Sequence, residues 1–193
     1  MTQEDLFAIS GSTIVRGFFY EAHFLTAAEE ALLLAEIKKL PLQEAEYRQY
    51  RAKRRIQSYG GRYDYSANRL LPGEPIAEFL RPLRERVGRW TAHAAKDFTQ
   101  ALVAEYSSGT QLGWHRDVPD FELVVGISLG SDCSMRFRRY PPKPRDRSVA
   151  VELAPRSIYR LEGESRWQWQ HKISSTPGLR YSITFRTARE MSR

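Results

Sequence analysis

Arg180-Tyr181-Ser182-Ile183-Thr184-Phe185-Arg186 alternates polar and apolar residues without a break. Successive side chains of a strand point to opposite faces. Arg180, Ser182, Thr184 and Arg186 therefore share one face, while Tyr181, Ile183 and Phe185 pack the other. Two guanidiniums on an inward face are costly unless anions neutralise them. A dicarboxylate is a natural partner, one carboxylate per Arg through charge-assisted bidentate bonds. On an outward face the same segment is a surface strand with two solvated arginines, and the strand by itself does not choose between the two.

Working back from this strand, further short strands are expected over residues 101–106, 122–128, 134–139, 149–153 and 157–161, separated by Gly, Pro, Asp and Ser signals. An aromatic strand is expected at Trp167-Gln168-Trp169-Gln170, with Trp167 and Trp169 on one core-facing side. The run Pro141 to Arg147 reads as a rigid loop between strands. The earlier part of the chain is different. After a strand-like stretch at 12–19, Thr26-Ala27-Ala28-Glu29 is a capping box that opens a helix running to about Leu40. Ile76, Phe79, Leu80, Leu83, Val87 and Trp90 recur at helical spacing and predict a second helix over 75–98, kinked at Pro82. Residues 41–75 lack steady periodicity and read as an extended, irregular surface segment whose aromatics must pack on something. Helices followed by many short strands indicate one α+β domain, the helices backing an antiparallel sheet or barrel.

The 193 residues suit a single domain spanning 1–193. The formal charge is +7 and 24 of the 30 basic residues are Arg, the side chain that matches phosphates and stacks on bases. Nucleic acid is a reasonable partner on that ground, although an Arg-biased composition would look the same. The single cysteine, Cys133, excludes an intrachain disulfide and a multi-thiolate metal site, and is best read as a small packed residue. The acidic, polar start Met1-Thr2-Gln3-Glu4-Asp5 is unlike a signal peptide, and no apolar run approaches the roughly 20 residues of a membrane span. A cytoplasmic monomer with no membrane association is expected.

His115-Arg116-Asp117 is the strongest local chemical signal. Residues two apart on an extended segment point the same way, so imidazole and carboxylate can share one metal ion. Two histidines and a carboxylate on one face, with the opposite face open, suit non-haem Fe(II) that must also bind a cosubstrate and oxygen. The third ligand comes from His23, His93 or His171. His93 lies in a helix and His23 in a strand-to-helix connection, so position favours His171, though only slightly.

The order Tyr106-x-x-Gly109, His115-x-Asp117, His171, Arg180-x5-Arg186 resembles the AlkB family of Fe(II)/2-oxoglutarate-dependent dioxygenases. The resemblance runs through Gly113–Asp117, Val125–Gly130 and Met135–Arg139, covers roughly 101–187, and is weaker around 61–65. It implies a double-stranded β-helix (jelly roll) over 101–190, with residues 1–100 as helical support and substrate lid. It also implies that His115, Asp117 and His171 hold Fe(II). Arg180 would meet the distal carboxylate of 2-oxoglutarate, with Tyr106 and Ser182, and Arg186 would lie near the C1 carboxylate. The cofactors would be Fe(II), 2-oxoglutarate and O2, and the reaction oxidative dealkylation of alkylated nucleobases in DNA or RNA. The same oxygenase chemistry on a protein side chain or another methylated amine is the alternative, and a nucleic-acid-binding module with a vestigial metal site is a third reading. In the lid, Tyr59, Tyr63 and Tyr65 either stack on an extruded base or cover the sheet. Basic residues 48–55 and 136–147, Arg138 among them, either hold phosphates or are solvated. Trp114 is a further candidate for substrate contact. The chain departs from the family at Ala104, where Asn is frequent, and at Pro119, where nucleic-acid repair members often carry a base-reading acid.

Overall fold

The computed structural model describes residues 15–47, 50–64, 66, 67 and 69–190. Its thirteen strands are β1 (Phe18–Glu21), β2 (Gln43–Tyr47), β3 (Tyr50–Tyr59), β4 (Arg62–Asp64), β5 (Arg69–Leu71), β6 (Phe98–Tyr106), β7 (Leu112–His115), β8 (Phe121–Gly130), β9 (Cys133–Arg139), β10 (Val149–Leu153), β11 (Ile158–Leu161), β12 (Trp169–Ile173) and β13 (Arg180–Ala188). Helices α1 (Ala27–Ile37), α2 (Arg81–Thr91) and the short α3 (Gly163–Trp167) complete the fold. A seven-stranded sheet in the order β1-β11-β8-β13-β6-β3-β2 lies with a four-stranded sheet, β10-β9-β12-β7, in a jelly roll. All strand pairs are antiparallel.

β13 occupies the middle of the larger sheet, between β6 and β8. Its alternation is as read from the sequence: Tyr181, Ile183 and Phe185 join a core with Leu25, Ile37, Leu80, Leu83 and Val87, through which α1 and α2 back the sheet. The opposite face looks towards the smaller sheet. There a second core gathers Val124, Met135, Phe137, Leu153, Leu161 and Ile173. Cys133 belongs to it and is buried. The polar face of β13 looks into the space between the sheets, beside this second core.

The capping box forms as expected: the Glu29 backbone N–H donates to Thr26 Oγ1 at 3.2 Å and the Thr26 N–H to Glu29 Oε2 at 2.7 Å. Three elements differ from the sequence reading. Pro82 does not kink a long helix. A 3-10 turn at Glu78–Leu80 leads into α2, whose first turn holds Pro82, where a missing N–H breaks no bond. Gly163–Trp167 is helical and the strand begins only at Trp169, so Trp167 and Trp169 do not share a strand face. Trp167 bonds Glu122 through Nε1 at 2.9 Å, whereas Trp169 packs on the inter-sheet core.

The third difference matters most. Residues 41–75 are not irregular; they supply β2 to β5, and β3 pairs with β6 from Arg55 opposite Glu105 to Tyr59 opposite Ala101. The inward residues of β3, Arg54, Ile56 and Ser58, line a cavity rather than a core, so they need not be apolar and hydrophobic alternation is lost. The larger sheet therefore draws β1, β2 and β3 from before residue 100. The 12–19 stretch becomes β1 from Phe18 onward, and its part before residue 15 lies outside the described residues. No helix of the described residues is long and apolar enough to cross a membrane.

Candidate active site

β7 and β12 are antiparallel neighbours in the smaller sheet, and His115 stands opposite His171 in register. Their rings therefore project to one side, with centroids 4.2 Å apart. Asp117 follows two residues beyond His115, and its Oδ2 lies 3.6 Å from His171 Nε2. One ligand atom from each of the three residues lies within 4.8 Å of the others, a spacing that one metal ion can satisfy. The main chain orients His115. Its Nδ1 is 2.8 Å from the Gly113 carbonyl, which only accepts, so Nδ1 carries the proton and Nε2 keeps a lone pair for a metal.

Charge in the site favours ligation. Burial works against the Asp117 carboxylate, but Arg186 foremost, then His171 and Arg166, hold its pKa far below the usual carboxylate range. Burial pushes His171 down to about 3, helped by neighbouring His115 and opposed by Asp117. Burial likewise lowers His115. At neutral pH the three side chains are an anion and two neutral imidazoles, the forms that bind a cation.

Arg186, expected near the cosubstrate C1 carboxylate, lies against the metal cluster. Its Nε and Nη2 both donate to Asp117 Oδ1, at 2.9 and 2.7 Å, and Nη1 donates to Gln100 Oε1 at 2.7 Å. It acts on a metal ligand, tying back one carboxylate oxygen and leaving Oδ2 towards the imidazoles. Arg166, 2% exposed, plays a related part. Its Nη2 donates to the Val118 and Phe121 carbonyls, both at 2.7 Å, and pins the loop that follows Asp117.

Arg180 is 1% exposed. Its Nε donates to Ser128 Oγ at 3.1 Å and its guanidinium lies 4.9 Å from the Tyr106 ring centroid. Nη1 is buried with no hydrogen-bond partner, and no ion pair to Arg180 is found among the described residues. A buried guanidinium in that state, turned into a cavity, is a natural seat for an anion. Burial alone would raise the Tyr106 phenol, yet Arg54 and Arg180 bring it below its ordinary value. Arg54 Nη1 donates to Tyr106 Oη at 3.3 Å. Tyr106, Ser182 and Arg180 all line one cavity of about 680 Å³ together with the three candidate ligands.

Of the candidate substrate residues, Tyr63 and Trp114 line this cavity. Tyr59 does not: it is buried in the core behind the larger sheet, where the outward alternation of β3 sends it. Tyr65 lies outside the described residues. Arg138 does not line the cavity; it donates to Gln170 Oε1 at 2.8 Å and stacks 4.5 Å from the Trp114 ring. Asp120, next to Pro119, does not line the cavity, and Asp117 is the only carboxylate that does among the described residues. His23 and His93 stand outside it. Gln100 and Ser128 were not singled out from sequence, and Arg54 was read only as one of the basic residues 48–55. Gln100 could have been found by counting alternate positions back from Tyr106, since 100, 102, 104 and 106 all face the cavity.

Residues 11–186 match the 2OG-Fe(II) oxygenase superfamily. The chain belongs to that family. As in the superfamily's description, Fe(II), 2-oxoglutarate and O2 are its cofactors, and the orphaned Arg180 and the His115–Asp117–His171 cluster fit the cosubstrate and the metal. Among its relatives, this oxygenase is 32% identical over 182 residues to the "alkylated DNA repair protein ALKBH8 homolog" of Arabidopsis thaliana, covering 82% of the present chain and 51% of the plant protein. It is 28% identical over 122 residues to the "probable RNA/DNA demethylase ALKBH6" of Danio rerio, covering 63% of this chain and 50% of that one. The chain thus spans about half the length of these curated relatives. The structure of OsALKBH1 superposes with a TM-score of 0.68 at 17% identity, covering 91% of this chain and 99% of the other. A Pseudomonas putida prolyl-4-hydroxylase follows at 0.62 and 17%, covering 91% and 94%. The oxygenase is AlkB-like in sequence and shares its jelly roll with both.

Proposed function

We propose that this protein is a 2-oxoglutarate-dependent Fe(II) dioxygenase that oxidatively dealkylates alkylated nucleobases in DNA or RNA. The observation that carries the reading is the rim of the cavity. Lys53, Arg62 and Arg116 are exposed there, with Arg54, Tyr63 and Trp114 half-buried behind them. Cations interleaved with flat aromatic faces suit a base that stacks while its phosphates are held outside. The names of the plant and zebrafish relatives point the same way.

When bound, iron and cosubstrate supply the oxidising power for a C–H bond of the alkyl group. The chain's residues do the rest. His115, Asp117 and His171 would hold the metal, Arg186 would fix the Asp117 carboxylate, and Arg180 with Tyr106 and Ser182 would receive the distal carboxylate. With Asp117 the sole lining carboxylate among the described residues, a base that is itself cationic meets no second anion. Neutral alkylated bases are therefore the expected substrates.

The test is mass spectrometry of alkylated single-stranded DNA and RNA oligonucleotides, neutral and cationic lesions included, after incubation with enzyme, Fe(II), 2-oxoglutarate and ascorbate. Loss of the alkyl mass with matching succinate, absent in His171→Ala, is the expected result. Oligonucleotides left intact while peptide or free methylated amines are oxidised would transfer the activity to those substrates.

A further inference from the structure

Tyr159 lines the cavity, and neither the metal cluster nor the Arg180 pocket as described accounts for it. It comes from β11 and stands opposite Gly126 of β8, which in turn stands opposite Thr184 of β13. Its ring does not stay on its own strand. A Cβ built on Gly126 would lie 2.2 Å from Tyr159 Cζ and 2.4 Å from its hydroxyl oxygen. The tip of the ring therefore lies flat across Gly126, in space that any other residue would fill, and the hydroxyl is carried towards β13.

That position is next to Arg180. The Arg180 guanidinium leans onto Ser128, two residues along β8 from Gly126. Two residues of a strand span about 7 Å, so a carboxylate placed between them can reach both groups. The Tyr159 residue is only 7% exposed, and its hydroxyl makes no hydrogen bond to any described residue. The hydroxyl opens onto the cavity, where it is free to donate to a ligand acceptor. Burial raises its pKa, with Arg180 the foremost opposing influence, so it stays protonated and able to donate.

We propose that Tyr159 donates a hydrogen bond to the distal carboxylate of 2-oxoglutarate, beside Arg180, and that Gly126 exists as glycine to admit the ring. This rests on the oxygenase reading above. It makes the distal pocket a two-sided one: a cation from β13 and a neutral phenol from β11, two strands away in the same sheet.

The experiment is calorimetric titration of protein loaded with Mn(II), which binds without turnover, comparing wild type with Tyr159→Phe. Two ligands are used: 2-oxoglutarate, and 2-oxobutyrate, which keeps the 2-oxo acid end but lacks the distal carboxylate. A hydrogen bond to a charged group predicts a 2-oxoglutarate Kd about 10- to 100-fold weaker in Tyr159→Phe, with the 2-oxobutyrate Kd unchanged. The thermal midpoint of the metal-free variant should equal or exceed that of wild type, because the hydroxyl has no partner in the protein. Equal 2-oxoglutarate affinity in both proteins would overturn the proposal. So would an equal loss for both acids, or a clear drop in the midpoint, since these place the hydroxyl's role at the chelating end or in the fold. Wild-type protein that binds neither acid would instead sink the oxygenase reading, and the proposal with it.

Discussion

Replacing Arg180 by Met should make the metal-free protein more stable and, at the same time, nearly blind to 2-oxoglutarate. The guanidinium is 1% exposed, keeps one hydrogen bond at 3.1 Å to Ser128 and leaves Nη1 without a partner. Desolvating such a charge costs several kcal/mol, against which one charge-assisted bond returns about 1.5–3 kcal/mol. Met has a similar length and no charge to desolvate. A net gain of about 1–3 kcal/mol raises the thermal midpoint of a chain of this size by roughly 2–10 °C. Removing one partner of a buried, hydrogen-bonded charge pair weakens binding by about 2–5 kcal/mol, on the order of 30- to several-thousand-fold. The assay is thermal unfolding with and without 2-oxoglutarate in the presence of Mn(II). Wild type should start lower and climb as ligand is added, by RT ln(1 + [L]/Kd) in free energy. The variant should start higher and stay flat. A variant that begins lower than wild type yet climbs equally would refute the assignment of Arg180 as a waiting anion site.

Arg186→Met frees Asp117 Oδ1, so metal affinity should fall about 10- to 100-fold in a metal titration while the fold persists; an unchanged affinity would mean that the Asp117 carboxylate needs no anchor. For metal-free protein, stability should decline on acidification. His171 takes up its proton near pH 6.5 when unfolded but only near 3 when folded, so between these values the unfolded state binds the extra proton and stability rises with pH. The slope is up to about 1.4 kcal/mol per pH unit, and the depressed Asp117 adds a further loss only below about pH 4. Denaturant midpoints in chelator that are level from pH 7 to 5 would contradict it. Finally, Lys53→Gln, Arg62→Gln and Arg116→Gln together should weaken oligonucleotide binding and flatten its salt dependence by about 0.7 per lost phosphate contact on single strands. Identical log–log slopes in a titration at several salt concentrations would make that rim ordinary solvated surface.

What could be read from the sequence is concentrated where one strand face is core and the other is chemistry. Residues 180–186 are such a case: Ile183 and Phe185 are fully buried apolar residues, and the polar positions between them all line the cavity. The His115-x-Asp117 spacing was legible because residues two apart on an extended segment point the same way. β3 was not, because Arg54 and Ser58 face the cavity, and its pairing to β6 is a contact between residues roughly 50 apart. The role of Arg186 was also hidden. Even spacing places it on the right face, but that it reaches Asp117 depends on how the turn after β7 comes down, and that turn is pinned by Arg166 from α3. Tyr59 takes the sheet-covering alternative, a choice that only β3 decides, since an outward position exists only once β3 does.

His115 and His171 hang from the smaller sheet, whereas Arg180, Ser182 and Arg186 rise from the larger one. The Arg186–Asp117 contact, 2.7 Å long, is the bolt across the gap. The distance from the metal ligands to the Arg180 pocket is consequently not a local property of either set. It is the thickness of the sandwich, and that thickness is set by Met135, Phe137, Leu161 and Ile173. None of the four is a metal ligand or an anion partner, though Met135 and Ile173 also line the cavity, and together they act as the shims of the machine. Sequence drift among them would detune the reaction while every catalytic group stayed in place, and an engineer wishing to admit a longer cosubstrate would begin with the shims.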